Sequence, residues 1–312
     1  MADYITIDGG TTNTRISLVK NRETKDIVRL NVGARSGMEN RSILRQAIKE
    51  GINLLLERNG LTEGDIAVIL ASGMLTSEFG LVELPHITAP AGPYELAEAM
   101  HHTVLPDISS IPFAFVCGIK TDGDLASTDI MRGEESELTG LFLGQGVYIL
   151  PGSHSKIIKV DEKGRITTFK TTLTGELIAA LSRGTILKDA LDMQMAALDE
   201  EFLLKGYEYA AQQGINEALF KVRLLKTVFK KNPAEIYGFF MGAVLCDEIK
   251  YILSLKAERL IISGEKHIAT AQVILLENLS SAEIIRVPQA LSDTASTLGM
   301  IKIYELKNPC FI

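Results

Sequence analysis

The sequence predicts two similar α/β domains with a cleft between them. Three observations carry this reading. The chain opens on short β-rich runs joined by polar turns, and the same strand–turn–strand–turn–strand pattern returns from Val147. Each module then gives way to alternating helical stretches and short apolar runs, the order of strand–helix layers. At 312 residues, a prior of roughly 150 residues per domain gives the same number.

Tyr4-Ile5-Thr6-Ile7 is the first strand, and the polar turn Asp8-Gly9-Gly10-Thr11-Thr12-Asn13-Thr14 follows it. Arg15–Val19 and Ile27–Leu30 read as the second and third strands. Strands this close, with no helix between them, are antiparallel neighbours. A helix covers about 41 to 59, because Ile43, Leu44, Ala47, Ile48, Ile52, Leu55 and Leu56 recur at helical spacing and Asn59-Gly60 is a stop. Ala67–Ala71 and Phe113–Cys117 are short, almost wholly apolar runs, as in strands covered on both faces. Between them Pro85–Pro93 reads as an ordered loop, and His101-His102 as part of a helix surface.

In the second module Val147–Leu150, Lys156–Val160 and Ile166–Phe169 are strands, joined by Pro151–Ser155 and by Asp161–Gly164. A helical stretch covers about 175 to 255, and Leu260–Ile262 and Glu283–Val287 read as buried strands. Ser292-Asp293 caps a final helix that runs to about Glu305.

Composition excludes several classes. Apolar residues make up 46% and charged residues 23%, the balance of a globular chain able to bury sizeable cores. Thirty-two basic residues against 39 acidic ones give −7, which argues against a nucleic-acid partner. The apolar runs are too short for a bilayer span, and Met1-Ala2-Asp3-Tyr4 lacks the basic-then-apolar start of a signal peptide. Cys117, Cys246 and Cys310 stand far apart, the pattern of reduced thiols in a cytoplasmic protein. His86, His101, His102, His154 and His267 show no helical i, i+4 pairing for a transition metal. A homodimer is left open.

Asp8-Gly9-Gly10-Thr11-Thr12-Asn13 is the sharpest local signal. Its glycines let backbone approach a ligand closely, and successive N–H groups with two hydroxyls can hold phosphate oxygens. Asp8, at the strand end, can hold Mg²⁺ through water, since that ion keeps part of its hydration shell. Walker A spacing is absent, and a strand rather than a helix follows. A plain hairpin turn is the competing reading. Gly152-Ser153-His154-Ser155-Lys156 occupies the same place in the second module. Its small hydroxyl residues and lysine suit phosphate contact, and two such turns can grip one polyphosphate from two sides.

Met131-Arg132-Gly133-Glu134-Glu135-Ser136-Glu137 lies where the chain crosses between domains. Phosphoryl transfer to a hydroxyl needs an acceptor for the hydroxyl proton, and Glu134 or Glu135 can serve. A solvated acidic helix start would look the same. Gly175, in Thr174-Gly175-Glu176, and Gly264, in Ser263-Gly264-Glu265, mark turns where a strand gives way to a helix and a nucleotide can approach. Loop glycine is the competing reading there.

Together the segments DGGTTNTR, MRGEESELTGLF, LPGSHSKIIKV and TTLTGEL, with their spacings over nearly the whole chain, resemble the 2-dehydro-3-deoxygalactonokinase family of the actin/hexokinase/Hsp70 ATPase superfamily. The resemblance implies two ribonuclease-H-like domains, mixed sheets flanked by helices, around an interdomain ATP cleft. Residues 1–132 would bind the sugar and 133–290 the ATP, with a helix over 291–312 packing back on the first domain. It implies ATP and Mg²⁺ as cofactors and a sugar acid as partner. By position, Asp8 would bind Mg²⁺, and Gly9, Gly10, Thr11, Thr12 and Asn13 would form the first phosphate loop. Gly152, Ser153, His154, Ser155 and Lys156 would form the second, with Gly175 and Gly264 near the nucleotide. Glu134 matches the place of the catalytic carboxylate, and Glu135 competes with it. Ser72, Gly73, Met74 and Thr76 follow a buried strand and would meet the sugar, and the Pro85–Pro93 loop would form a wall. Arg15 and Arg132 are candidates for the sugar-acid carboxylate, with a structural salt bridge as the competing reading for either.

The implied reaction moves the ATP γ-phosphoryl to the C6 hydroxyl of 2-dehydro-3-deoxy-D-galactonate, in galactonate breakdown. The alternatives are another sugar or sugar-acid kinase of the superfamily, or an ATP-dependent regulator or phosphohydrolase.

Overall fold

The computed structural model describes residues 3–191, 198–264 and 266–308. It divides into two compact units. The first comprises Met1–Gln145, Val160–Thr168 and Ala290–Ile312, and the second Gly146–Lys159 and Phe169–Gln289.

In the first unit β1 (Tyr4–Gly9), β2 (Thr14–Lys20) and β3 (Glu23–Leu30) lead into α1 (Ala34–Glu39) and α2 (Arg41–Arg58). The chain continues through β4 (Val68–Gly73), β5 (Ile87–Thr88), α3 (Pro93–Glu98), β6 (His101–Leu105) and β7 (Ser109–Phe115). Then come β8 (Ile119–Thr121), β9 (Asp129–Met131) and α4 (Glu134–Leu141). The main sheet has the order β3-β2-β1-β4-β7-β6, and β5, β8 and β9 form a small second sheet. β1 is antiparallel to β2 and parallel to β4. Ile5, Ile7, Ile69, Leu70 and Ala71 are fully buried, and the burial of β4 is why Ala67–Ala71 reads as an almost wholly apolar run. α2 lays Leu44, Ile48, Ile52 and Leu55 into the core at helical spacing. It starts where the Asn40 side chain accepts from the Ser42 amide and stops before Gly60 at φ +62°.

The two edge strands differ from the sequence reading. β3 begins at Glu23 rather than Ile27, because it is an edge strand whose first half is polar and partly exposed. His101 and His102 lie in β6, the opposite edge strand, paired with Phe115 and Ala114, and not on a helix.

The second unit repeats the plan. β10 (Gly146–Leu150), β11 (Ser155–Val160) and β12 (Ile166–Thr172) precede α5 (Thr174–Gly184), α6 (Glu200–Gln213), α7 (Ile215–Thr227) and α8 (Pro233–Ser254). β13 (Arg259–Ile262), α9 (Lys266–Leu279) and β14 (Glu283–Arg286) complete it. The sheet order is β12-β11-β10-β13-β14, with β13 parallel to β10 and β14. Both units thus place their first three strands in reversed order beside a fourth and a fifth. α8 is the core helix, with Phe240, Met241, Leu245 and Ile249 fully buried. Asn232 caps it by accepting from the Glu235 amide.

α10 (Gln289–Lys307) belongs to the first unit. It starts before Ser292-Asp293, so those residues lie inside the helix and do not cap it. The unit boundary falls at 145/146 rather than 132/133, because α4 packs within the first unit. Cys117 and Cys246 are buried free thiols, and Cys310 lies outside the described residues. No helix among the described residues is long and apolar enough to cross a membrane.

Candidate active site

In the first unit the parallel strands β1 and β4 end in register, Asp8 beside Ser72 and Gly9 beside Gly73. Gly73 takes φ +76°, and a Cβ there would lie 2.3 Å from the Gly9 carbonyl oxygen. Gly133, at φ +108°, precedes α4 and packs on Gly73, where a Cβ would come 3.2 Å from its Cα. Only glycine permits this backbone path and this approach. The approach seats the first turn of α4 over the strand ends. Ser136 Oγ then donates to Ser72 Oγ at 2.9 Å, in a fully buried contact that fixes the helix.

The turn between β1 and β2 is exposed from Gly10 to Asn13 and closes with Gly10 N–H donating to the Asn13 carbonyl at 2.8 Å. The Gly10 and Thr11 carbonyls accept from the amides of Ala34 (3.1 Å) and Arg35 (2.8 Å) at the start of α1. With those carbonyls turned back and bonded, Thr11, Thr12 and Asn13 can offer amides and hydroxyls to an anion.

Carboxylates border this turn. Arg15 donates to Asp8 Oδ2 at 2.9 Å and to the Asp293 carbonyl at 2.8 Å. Glu137, one turn along α4 from Glu134, is pushed up to about 8 by burial first and then by the charges of Asp8 and Glu134, with Arg15 opposing. Glu134 is partly exposed and its Oε2 accepts from the Arg132 amide at 3.1 Å. Glu135 is 1% exposed, and both its oxygens accept from Gly133 N–H at 2.8 and 2.9 Å. Burial, then the neighbouring Glu134 charge, raises its carboxyl to about 8. Of the two glutamates weighed as proton acceptor, Glu135 therefore faces the core and Glu134 does not.

Several residues assigned to the sugar serve the scaffold. Ser72 and Thr76 are fully buried. Thr76 Oγ1 donates to the Gly73 carbonyl at 3.0 Å and accepts from Arg132 Nη1 at 2.8 Å. Arg132 Nη2 donates to the Leu84 carbonyl at 2.7 Å and lies 3.4 Å from His86 Nδ1. Both arginines proposed for the sugar carboxylate thus have protein partners. Gly73 is buried and Met74 partly exposed. His86 was not singled out by sequence: burial first, then Arg132 and Lys120, pushes its imidazole down to about 4. Its Nε2 is buried without a hydrogen-bond partner among the described residues. Glu137 was also missed, although its i, i+3 spacing from Glu134 places both on one helix face.

In the second unit the turn Gly152–Ser155 lies against the start of α5. A Cβ on Gly175 would sit 2.3 Å from the Gly152 carbonyl oxygen, and one on Gly264 2.8 Å from that of Pro151. The Glu176 amide donates to the Ser153 carbonyl at 3.2 Å, and His154 Nε2 lies 3.2 Å from Glu176 Oε1. Ser153 and His154 are exposed, as an anion at a helix N-terminus requires. Ser155 and Lys156 are buried, so the lysine is absent from the exposed face of the turn; Ser155 Oγ has no hydrogen-bond partner among the described residues. Buried Glu248 of α8 fixes the helix start by accepting from Thr172 Oγ1 at 2.6 Å, from Thr174 Oγ1 and from Gln272 Nε2. Glu265, next to Gly264, lies outside the described residues.

The family described as 2-keto-3-deoxy-galactonokinase matches residues 8–303. The chain belongs to that family. Asp8 opens the family's matched span, and every candidate loop lies within it. A Rhizobium meliloti (strain 1021) protein provisionally named 2-dehydro-3-deoxygalactonokinase DgoK1 is 34% identical over 127 residues, 39% of this chain. The match spans 40% of that relative's length. A solved structure from Sinorhizobium meliloti, provisionally named a 2-dehydro-3-deoxygalactonokinase, aligns at TM-score 0.78 and 22% identity over 98% of this chain and 99% of its own. Ligand-bound xylulose kinase from Lactobacillus acidophilus aligns at TM-score 0.55 and 10% identity, over 99% of this chain and 90% of its own. At these identities the structures show the fold alone, two α/β units.

Proposed function

We propose that the protein is an ATP-dependent kinase that phosphorylates the C6 hydroxyl of 2-dehydro-3-deoxy-D-galactonate, a step of galactonate breakdown. The observation that carries this reading is a family match spanning the chain, joined to a carboxylate group at the strand ends of the first unit. Kinases of small hydroxyl acceptors need a proton acceptor, a cation-bearing phosphate site and a nucleotide cradle.

Each has residues here. Glu134 is the proton acceptor: partly exposed, on the first turn of α4, with one oxygen steadied by the Arg132 amide. The C6 oxygen attacks the γ-phosphorus, the bond to the β–γ bridging oxygen breaks, ADP leaves, and the hydroxyl proton passes to Glu134. Gly10–Asn13 and Gly152–His154 supply amides and hydroxyls to phosphate oxygens. Gly264 keeps side-chain bulk away from the nucleotide.

The residues fit Mg²⁺. Asp8 and Glu137 are close enough for one charge to raise the pKa of the other, a repulsion that a divalent cation relieves. No group of three or more His, Cys, Asp or Glu side chains suited to a metal occurs among the described residues. Waters and phosphate oxygens would therefore complete the shell, as is usual for this ion. Bound there, Mg²⁺ would offset charge on the phosphates.

The test is ADP release against a substrate panel, with the product's phosphate position read by phosphorus and carbon NMR. Turnover on 2-dehydro-3-deoxy-D-galactonate, with phosphate on C6, is the expected result. Preference for a neutral sugar or another sugar acid moves the substrate assignment. Phosphate release without any sugar overturns the kinase reading.

A further inference from the structure

A cavity of about 500 Å³ opens within the first unit, and apart from Pro93, the last residue of the loop expected to wall the sugar, none of the site residues described above lines it. Its walls are apolar: Tyr94 at the start of α3, Phe142 just past α4, and Leu298 and Ile301 on α10. Tyr94 is 70% exposed and Phe142 36%, so two aromatic rings border an open space. Isolated apolar side chains at a surface are ordinary; two aromatic rings facing one concavity of ligand size are less so.

The rim is cationic. Arg22, Lys163, Lys302 and Glu305 line it. Arg22 and Glu305 neutralise each other at 2.6 Å. Lys302 Nζ meets only the neutral carbonyls of Thr139 (3.4 Å) and Gly140 (3.3 Å). The Lys163 ammonium, at the tip of the β11–β12 hairpin, has no hydrogen-bond or ion-pair partner among the described residues. Two lysine charges therefore stand uncompensated over an aromatic and aliphatic floor.

We propose that this cavity binds a small amphipathic anion: an aromatic or branched aliphatic body with one carboxylate, phosphate or sulfonate. The body covers Tyr94, Phe142 and Leu298, and the anionic head meets Lys163 and Lys302. An apolar wall supplies most of the contact area in such sites, and the few charged groups select the ligand and fix its orientation. The binding is independent of the kinase reading, since no residue of the proposed reaction contributes to it.

The test uses the full chain with saturating ATP and Mg²⁺, so that a nucleotide site is filled. The probe is 8-anilinonaphthalene-1-sulfonate, an aromatic body with one sulfonate, followed by its fluorescence rise. One saturable site per chain is expected. Lys163→Ala with Lys302→Ala weakens it by about 10-fold or more, the loss of roughly one charge-assisted contact. Tyr94→Ala, at an exposed side chain that the fold does not need, weakens it independently. The uncharged counterpart, N-phenyl-1-naphthylamine, is insensitive to the lysine changes. Unchanged affinity in both the lysine and Tyr94 variants, or the absence of a saturable probe site while ATP is saturating, overturns the proposal.

Discussion

The two strand-end turns occupy the same place in the same strand order, yet their surroundings differ in chemistry. Around Gly10–Asn13 stand Asp8, Glu134 and Glu137, close enough that burial and mutual charge raise the Glu137 pKa. Around Gly152–Ser155 stand hydroxyls, His154 and the amides opening α5, and the nearest deeply buried carboxylate, Glu248, is bonded to Thr172, Thr174 and Gln272. Strand order decides where a turn sits, and the helix laid against it decides what the turn can do. On the proposed function, the first turn belongs to the chemistry and the second to nucleotide binding.

Substitutions at the two turns should therefore fail in different ways. Asp8→Asn keeps the shape of the turn while weakening its cation site, and turnover should fall about 10³-fold, the size of a lost metal contribution of several kcal/mol. Steady-state kinetics across a Mg²⁺ titration check this, and near-normal turnover would remove Asp8 from the metal role. Gly175→Ala pushes a methyl into the Gly152 carbonyl in the second unit. The KM for ATP should rise about 10-fold, near 1.4 kcal/mol, with kcat little changed. A fall in kcat alone would erase the contrast between the two turns.

Protonation sharpens the contrast further. Burial holds the Glu135 and Glu137 carboxyls up at about 8 in the folded chain, against an ordinary value of 4.5. Between about pH 5 and 8 the folded state holds protons that the unfolded chain has lost, so stability falls as pH rises through that window. Partly buried His86 acts in reverse: its folded pKa of about 4 lies below the ordinary imidazole value of 6.5, so stability falls as pH drops between them. Melting temperature should therefore decline from pH 6.5 to 8, and Glu135→Gln should remove part of that decline. An unchanged slope would show that Glu135 is already ionised at neutral pH. The smallest effect is expected in the second unit, where Thr174→Val removes one donor to buried Glu248 and should cost about 1–3 kcal/mol in chemical denaturation. A neutral outcome would mean that Thr172 and Gln272 suffice.

Much of the fold was legible because its signals are local. Apolar runs marked the buried strands, Asn59-Gly60 marked the end of α2, and glycine-rich turns marked both loops. Edge strands were harder to read: β3 and β6 carry polar, exposed residues such as Glu23 and His101, so neither shows a clean period. The site was legible in its turns but not in its partners. Ser72 and Thr76 have side chains suited to a sugar, and only the packing of α4 and Arg132 shows them turned inward. Glu137 stands far from Asp8 in sequence, and the stacking of Gly133 on Gly73 brings the two together. A carboxylate's assignment depends on where its helix begins in space, as Glu134 and Glu135 show: adjacent in sequence, one faces outward and the other is bonded to Gly133.

The division of labour is tested most directly by ATP titration calorimetry on Glu134→Gln, with turnover measured on the same sample. The account predicts ATP affinity within about threefold of the unaltered protein and turnover lower by roughly 10² to 10⁴, the contribution of a positioned proton acceptor. Turnover that survives, or ATP affinity that falls in parallel with it, would contradict the account.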